Sequence, residues 1–171
     1  TLAFQALSGT IGAEVTGVDL ARLSGDDFAA IRDAMLEHGV LVFRDQDLGP
    51  DQLHDFAARW GEIHLHPYLS GLPEHPGIIE IVKEAGRRAL YISNTQTTRR
   101  SDGMTEAESK PLLDYLLAHA TRPVFTCRIR WDVGSLAIWD NRRLLHMALD
   151  YYLDHRQVIH RITIKGEATV G

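Results

Sequence analysis

The sequence predicts an α+β protein, or a β-barrel flanked by helices, rather than a regular βαβ series. Three observations carry this. Apolar residues recur at helical spacing in two early segments and one central segment. Runs of strand length, alternating or wholly apolar, dominate the C-terminal third. The 171 residues are 44% hydrophobic and 24% charged, the balance of a globular domain with its own core.

Taken in order, "GAEVTGVDL" (12–20) alternates and reads as a strand. "SGDDFAAIRDAMLEHG" (24–39) reads as a helix: Ser24 can cap it, and Asp26 and Asp27 suit the positive end of the helix dipole. Phe28, Ile31 and Met35 form its apolar stripe, and Gly39 stands where a left-handed terminator belongs. "VLVF" (40–43) is a short strand, apolar throughout and so expected to be buried on both faces. "GPDQLHDFAARWG" (49–61) is a second helix, with Pro50 in its first turn and a stripe of Leu53, Phe56, Ala57 and Trp60. "IHLH" (63–66), "IIEIV" (78–82) and "RRALYIS" (87–93) read as strands.

"TEAESKPLLDYLLAHA" (105–120) is a third helix, opened by a capping box between Thr105 and Glu108. Pro111 lies past its first turn, so the helix either kinks or starts its regular part near Ser109. "VFTCRIRW" (124–131), "SLAIWD" (135–140) and "QVIHRITI" (157–164) read as three strands, with "DVGS" as a turn between the first two.

A net charge of −5 argues against nucleic acid as a partner, since that binding is dominated by phosphate neutralisation. Arg99 and Arg100 in "TTRRSDG" make no basic patch. No apolar run approaches the roughly 18 residues of a membrane span. The N-terminal stretch shows no basic start followed by an apolar core, so no signal peptide is expected. The lone cysteine, Cys127, excludes an internal disulfide and fits a cytoplasmic location. It sits in an alternating run, where a packed strand residue is the plainer reading than a nucleophile.

Nine histidines are many for this length. His146 follows "WDNRR" where a strand gives way to a turn. Taken alone it is a polar side chain at a strand end, but a rigid turn also suits a metal ligand. In "QVIHRITI", Gln157, Ile159, Arg161 and Thr163 share one face; Val158, His160, Ile162 and Ile164 share the other. The second face is more apolar and is expected to face the core. The first then faces solvent or a barrel interior, where Arg161 would need an anionic partner. His64 and His66 share a strand face at a spacing that suits a metal, as in cupins, although Glu74 is poorly spaced to join them and Pro67 ends the strand.

The segments "IGAEVTGVDL", "HGVLVFRDQ", "ARWGEIHLHP", "GRRALYISNTQTTRR" and "GSLAIWDNRRLLHMALDYYLDHRQVIHRITIKGE" together resemble the taurine/2,4-D dioxygenase family of Fe(II)- and 2-oxoglutarate-dependent oxygenases. The resemblance implies one domain over residues 1–171, a double-stranded β-helix (jelly roll) flanked by helices, with further chain expected between about positions 84 and 87. It implies Fe(II) held by two histidines and a carboxylate, with positions open for 2-oxoglutarate and O2. On this likeness His146 is the second histidine of that triad. Arg161 meets the substrate's anionic group or lies beside 2-oxoglutarate, His66 contacts substrate, and Gln96 lines the substrate pocket. The implied substrate is a small anion: a sulfonate, an alkylsulfate or an aryloxyalkanoate. Homo-oligomers are the family habit.

Two departures stand out. The first half of the triad would be a His-x-Asp, and none occurs in this sequence. Position 157, where the family usually has the arginine that clamps 2-oxoglutarate, is Gln157. Arg156 is adjacent, but strand alternation points it to the opposite face unless a bulge intervenes.

Overall fold

The protein, seen as a computed structural model, is described over residues 1–67, 69–83, 103–141, 143–147 and 157–165. Its elements in chain order are β1 (Ala3–Ala6), β2 (Ala13–Thr16), α1 (Gly25–His38), β3 (Val40–Phe43), α2 (Pro50–Ala58), β4 (Ile79–Lys83), α3 (Glu106–Ala120), β5 (Leu136–Trp139) and β6 (Gln157–Arg161). Short 3-10 turns stand at Leu20–Arg22 and Pro123–Phe125. The chain divides into two compact units. One holds residues 1–18, 24–46 and 90–148; the other holds 19–23, 47–89 and 149–171.

The first unit is built on a four-stranded sheet in the order β1-β2-β3-β5. β2 and β3 run parallel, with α1 as the crossover between them, while β1 and β5 pair antiparallel at the two edges. All four residues of β3 are buried, as an all-apolar strand between two neighbours should be. Ile31 and Ala34 of α1 are buried, joining Leu41, Phe43 and Val15 in the core. The ends of α1 follow from sequence. The Ser24 hydroxyl accepts from the Asp27 amide, and Gly39 takes φ 70°, with its own amide donating to Met35.

α3 runs unbroken from Glu106 past Pro111, and the Thr105–Glu108 capping box is formed. Ser109 is buried, and Leu113 and Leu117 on the same stripe are half-buried. Leu112, Tyr115 and Leu116 lie exposed.

Two expectations are corrected here. β1 was not anticipated: "AFQA" carries no strand pattern of its own and exists by pairing with β2, Phe4 opposite Val15. "VFTCRIRW" forms no ladder. It keeps its alternation, with Cys127, Ile129 and Trp131 half-buried and Thr126, Arg128 and Arg130 exposed, but a strand also needs a hydrogen-bonded neighbour, and none is present among the described residues.

In the second unit β4 and β6 pair antiparallel. A bridge between Ile63 and Ile164 brings the 62–65 segment against the chain beyond β6, so "IHLH" contributes a bridge rather than a strand. α2 buries Phe56 and Ala57. The helices and mixed sheets are those of an α+β protein. No described helix is long and apolar enough to cross a membrane.

Candidate functional site

In the first unit the candidate is His146. β5 brings the chain out of the sheet into a turn at 140–143, closed by the Arg143 amide donating to the Asp140 carbonyl at 3.1 Å. Arg143 also anchors the turn to α1 through a 2.9 Å bond to the Leu36 carbonyl. Trp139, the last residue of β5, donates from its indole to Asn141 Oδ1 at 2.8 Å. The His146 ring lies tilted against Trp139, with ring centroids 5.2 Å apart. His146 itself is exposed. Its described setting is therefore an aromatic neighbour, and Trp139, which sequence reasoning did not single out, is the residue that orients it. A signal was available, in that a tryptophan ending a strand directly before "DN" is placed to brace the turn.

In the second unit the candidate is Arg161, and here the sequence expectation for β6 is reversed. Val158 is 43% exposed and His160 is exposed, whereas Gln157, Ile159 and Arg161 are half-buried. Both faces of this strand mix apolar and polar side chains, so polarity alone did not fix which one turns inward. The ladder explains the choice. Arg161 stands opposite Ile79, which is buried, while His160 stands opposite Glu80 on the open face, with Nε2 and Oε2 3.4 Å apart.

The Nε of Arg161 is buried and has no hydrogen-bond partner among the described residues. A guanidinium N–H left so is costly, because it has given up water without receiving an acceptor. An anion would supply that acceptor.

His66 lies in the same unit. The Leu69 amide donates to its Nδ1 at 3.1 Å, so that nitrogen accepts and the neutral ring carries its proton on Nε2. The neighbouring segment is held by the His64 amide donating to Thr163 at 2.7 Å and the Lys165 amide donating to Glu62 at 2.7 Å. Lys165 and Glu62 also form an ion pair through their side chains.

The remaining candidates divide simply. Gln157 is the partner of Lys83 in the β4–β6 ladder, four residues before Arg161 and on the same face. Gln96 and Arg156 lie outside the described residues, as do positions 84–87, between which the sequence runs on without further chain. No group of three His, Cys, Asp or Glu side chains placed to hold a metal exists among the described residues.

Comparison with known proteins bears on both candidates. The family model described as "Taurine catabolism dioxygenase TauD, TfdA family" matches residues 3–85 and 73–163. An alkylsulfatase from Acinetobacter baylyi is 37% identical over 145 residues, covering 71% of this chain and 45% of that protein. An alpha-ketoglutarate-dependent sulfate ester dioxygenase from Pseudomonas putida is 38% identical over 98 residues, covering 57% of this chain and 32% of that protein. The chain thus spans less than half the length of these curated relatives. The crystal structure of a taurine dioxygenase from Burkholderia xenovorans aligns with a TM-score of 0.82 at 26% identity, covering 99% of this chain and 91% of that one.

Proposed function

The chain belongs to the taurine catabolism dioxygenase TauD, TfdA family, and on that premise we propose that it recognises a small anionic substrate as part of a 2-oxoglutarate-dependent dioxygenase reaction. The substrate class is a sulfate ester, a sulfonate or an aryloxyalkanoate. The observation that carries this reading is the buried, unpartnered Nε of Arg161. A sulfate or carboxylate oxygen satisfies it with a charge-assisted bond, and the planar guanidinium can present a second donor to the same group. The relatives' names point the same way: one acts on sulfate esters, and another is named for 2,4-dichlorophenoxyacetate.

The family also implies Fe(II), with 2-oxoglutarate as cosubstrate and O2 as oxidant. The residues present do not fit the metal. A facial triad needs two histidines and a carboxylate. His146 is a single candidate donor, and no His-x-Asp or His-x-Glu occurs at any of the 171 positions. No catalytic step is therefore derived through iron. This same observation favours a second reading, a non-catalytic family member that keeps the anion site.

The deciding experiment supplies Fe(II), 2-oxoglutarate, O2 and a panel of alkylsulfates, sulfonates and aryloxyalkanoates. Succinate release coupled to substrate loss supports the dioxygenase reading. Anion binding without succinate leaves the second reading in place, and neither binding nor turnover refutes both.

A further inference from the structure

We infer that this chain, as its sequence stands, binds its anion at Arg161 without iron, so that the 2-oxo group of 2-oxoglutarate contributes nothing to its recognition. The inference rests on the anion site proposed above in its second, non-catalytic reading, and adds to it that the metal plays no part in that binding.

The argument starts from the donor set. Iron held in a protein needs several side chains converging on one point, and each must be aimed by neighbours. His146 is exposed, and the neighbour described for its ring is the tilted ring of Trp139. Among the described residues no second and third donor converge with it. The stretch from "IIEIV" to "GRRALYIS" passes through "KEA" with no histidine, so the sequence supplies no substitute there.

Arg161 asks nothing of a metal. Its Nε is buried by the fold of β4 and β6 and needs an acceptor whether or not iron is near. The neighbours on the same face of its own strand are Ile159 and Gln157, one apolar and one neutral, and Lys83 stands opposite Gln157 in the ladder. One guanidinium suits one oxyanion head.

The consequence is a distinctive order of affinities. A 2-oxo acid is a chelating ligand, because its carboxylate and adjacent carbonyl oxygen can bind one metal ion together. Where a metal is held, that chelation separates 2-oxoglutarate from glutarate, which lacks the carbonyl. In this chain the two should bind alike. Hexyl sulfate, which offers a single tetrahedral head and an apolar tail, should bind at least as well as either.

Isothermal titration with glutarate, 2-oxoglutarate and hexyl sulfate tests this, first in EDTA and then after anaerobic loading with Fe(II) and desalting. Metal content is read in parallel by elemental analysis. The expected result is hexyl sulfate binding unchanged by Fe(II), 2-oxoglutarate and glutarate affinities within threefold of each other in both conditions, and substoichiometric iron in the wild type and in His146→Ala alike. Arg161→Gln should weaken hexyl sulfate tenfold or more, and Arg161→Lys should restore part of the loss. The inference is overturned by one iron per chain that His146→Ala removes, or by a tenfold gain in 2-oxoglutarate over glutarate on adding Fe(II). If no anion binds in either condition, the anion-binding reading fails, and the inference that rests on it falls with it. The iron measurement identifies the other failure separately.

Discussion

Replacing Arg161 by methionine should make the anion-free protein more stable, not less. The buried Nε has no acceptor among the described residues. Leaving a buried donor unsatisfied costs about 1–3 kcal/mol. A methionine fills the space of the arginine stem, and it carries no buried donor that needs an acceptor. The net expectation is a gain of about 1–2 kcal/mol, or about 2–8 °C in Tm for a chain of this size. Urea denaturation and thermal circular dichroism, both in buffer free of sulfate and phosphate, measure it. Adding hexyl sulfate at a hundred times its Kd should then stabilise the wild type by about 2.7 kcal/mol and the variant by nothing, so the order of the two proteins inverts. A methionine variant less stable than wild type by 1 kcal/mol or more without ligand would show that the guanidinium is already paired, and the case for an anion site would collapse.

Three further outcomes follow from the described geometry. Arg44 donates to Glu14 at 2.9 Å, to the Arg130 carbonyl at 2.6 Å and to Ser135 at 2.9 Å, so Arg44→Ala should cost about 2–4 kcal/mol in urea denaturation; a loss below 1 kcal/mol would mean these bonds contribute little. The Glu108 carboxyl is held below its usual range by the backbone bond and then the hydroxyl bond from Thr105. Its capping contribution is thus present above the ordinary carboxylate pKa and is lost as pH falls through the lowered one, and far-UV circular dichroism of the wild type should lose helix there more than Glu108→Ala does; parallel curves would count against it. Burial pushes the Cys127 thiol up, outweighing a backbone bond that lowers it, so its alkylation at mildly alkaline pH should be slower than in the urea-unfolded chain, and equal rates would contradict the burial.

Helices were the most legible part of the sequence, since their signals are local. Ser24, Gly39 and the Thr105–Glu108 box do what their residue types allow, and "VLVF" is buried as an all-apolar run should be. What failed was pairing. "AFQA" is a strand because β2 lies beside it, and "VFTCRIRW" is not one because no ladder partner is described. Neither fact is written in those residues themselves. For the site, the sequence singled out Arg161 and His66 but left the arginine's strand face open between solvent and a barrel interior. Only the register against Ile79 and Glu80 shows it turned inward, and only coordinates reveal that its Nε lacks a partner. The family resemblance was legible from motif runs, and family membership is established. The absent His-x-Asp was legible too, because a missing pattern needs no structure to be seen.

The pairings that close both sheets join distant parts of the chain: Val40–Phe43 with Leu136–Trp139, and Ile79–Lys83 with Gln157–Arg161. The entropy lost in closing such a loop grows only with the logarithm of its length, about 0.6 kcal/mol for each doubling. Chain added or removed between these partners therefore changes the cost of bringing them together by less than one hydrogen bond is worth. Strand pairings between distant parts of a chain can therefore be kept at almost the same entropic cost when the length of chain between them changes.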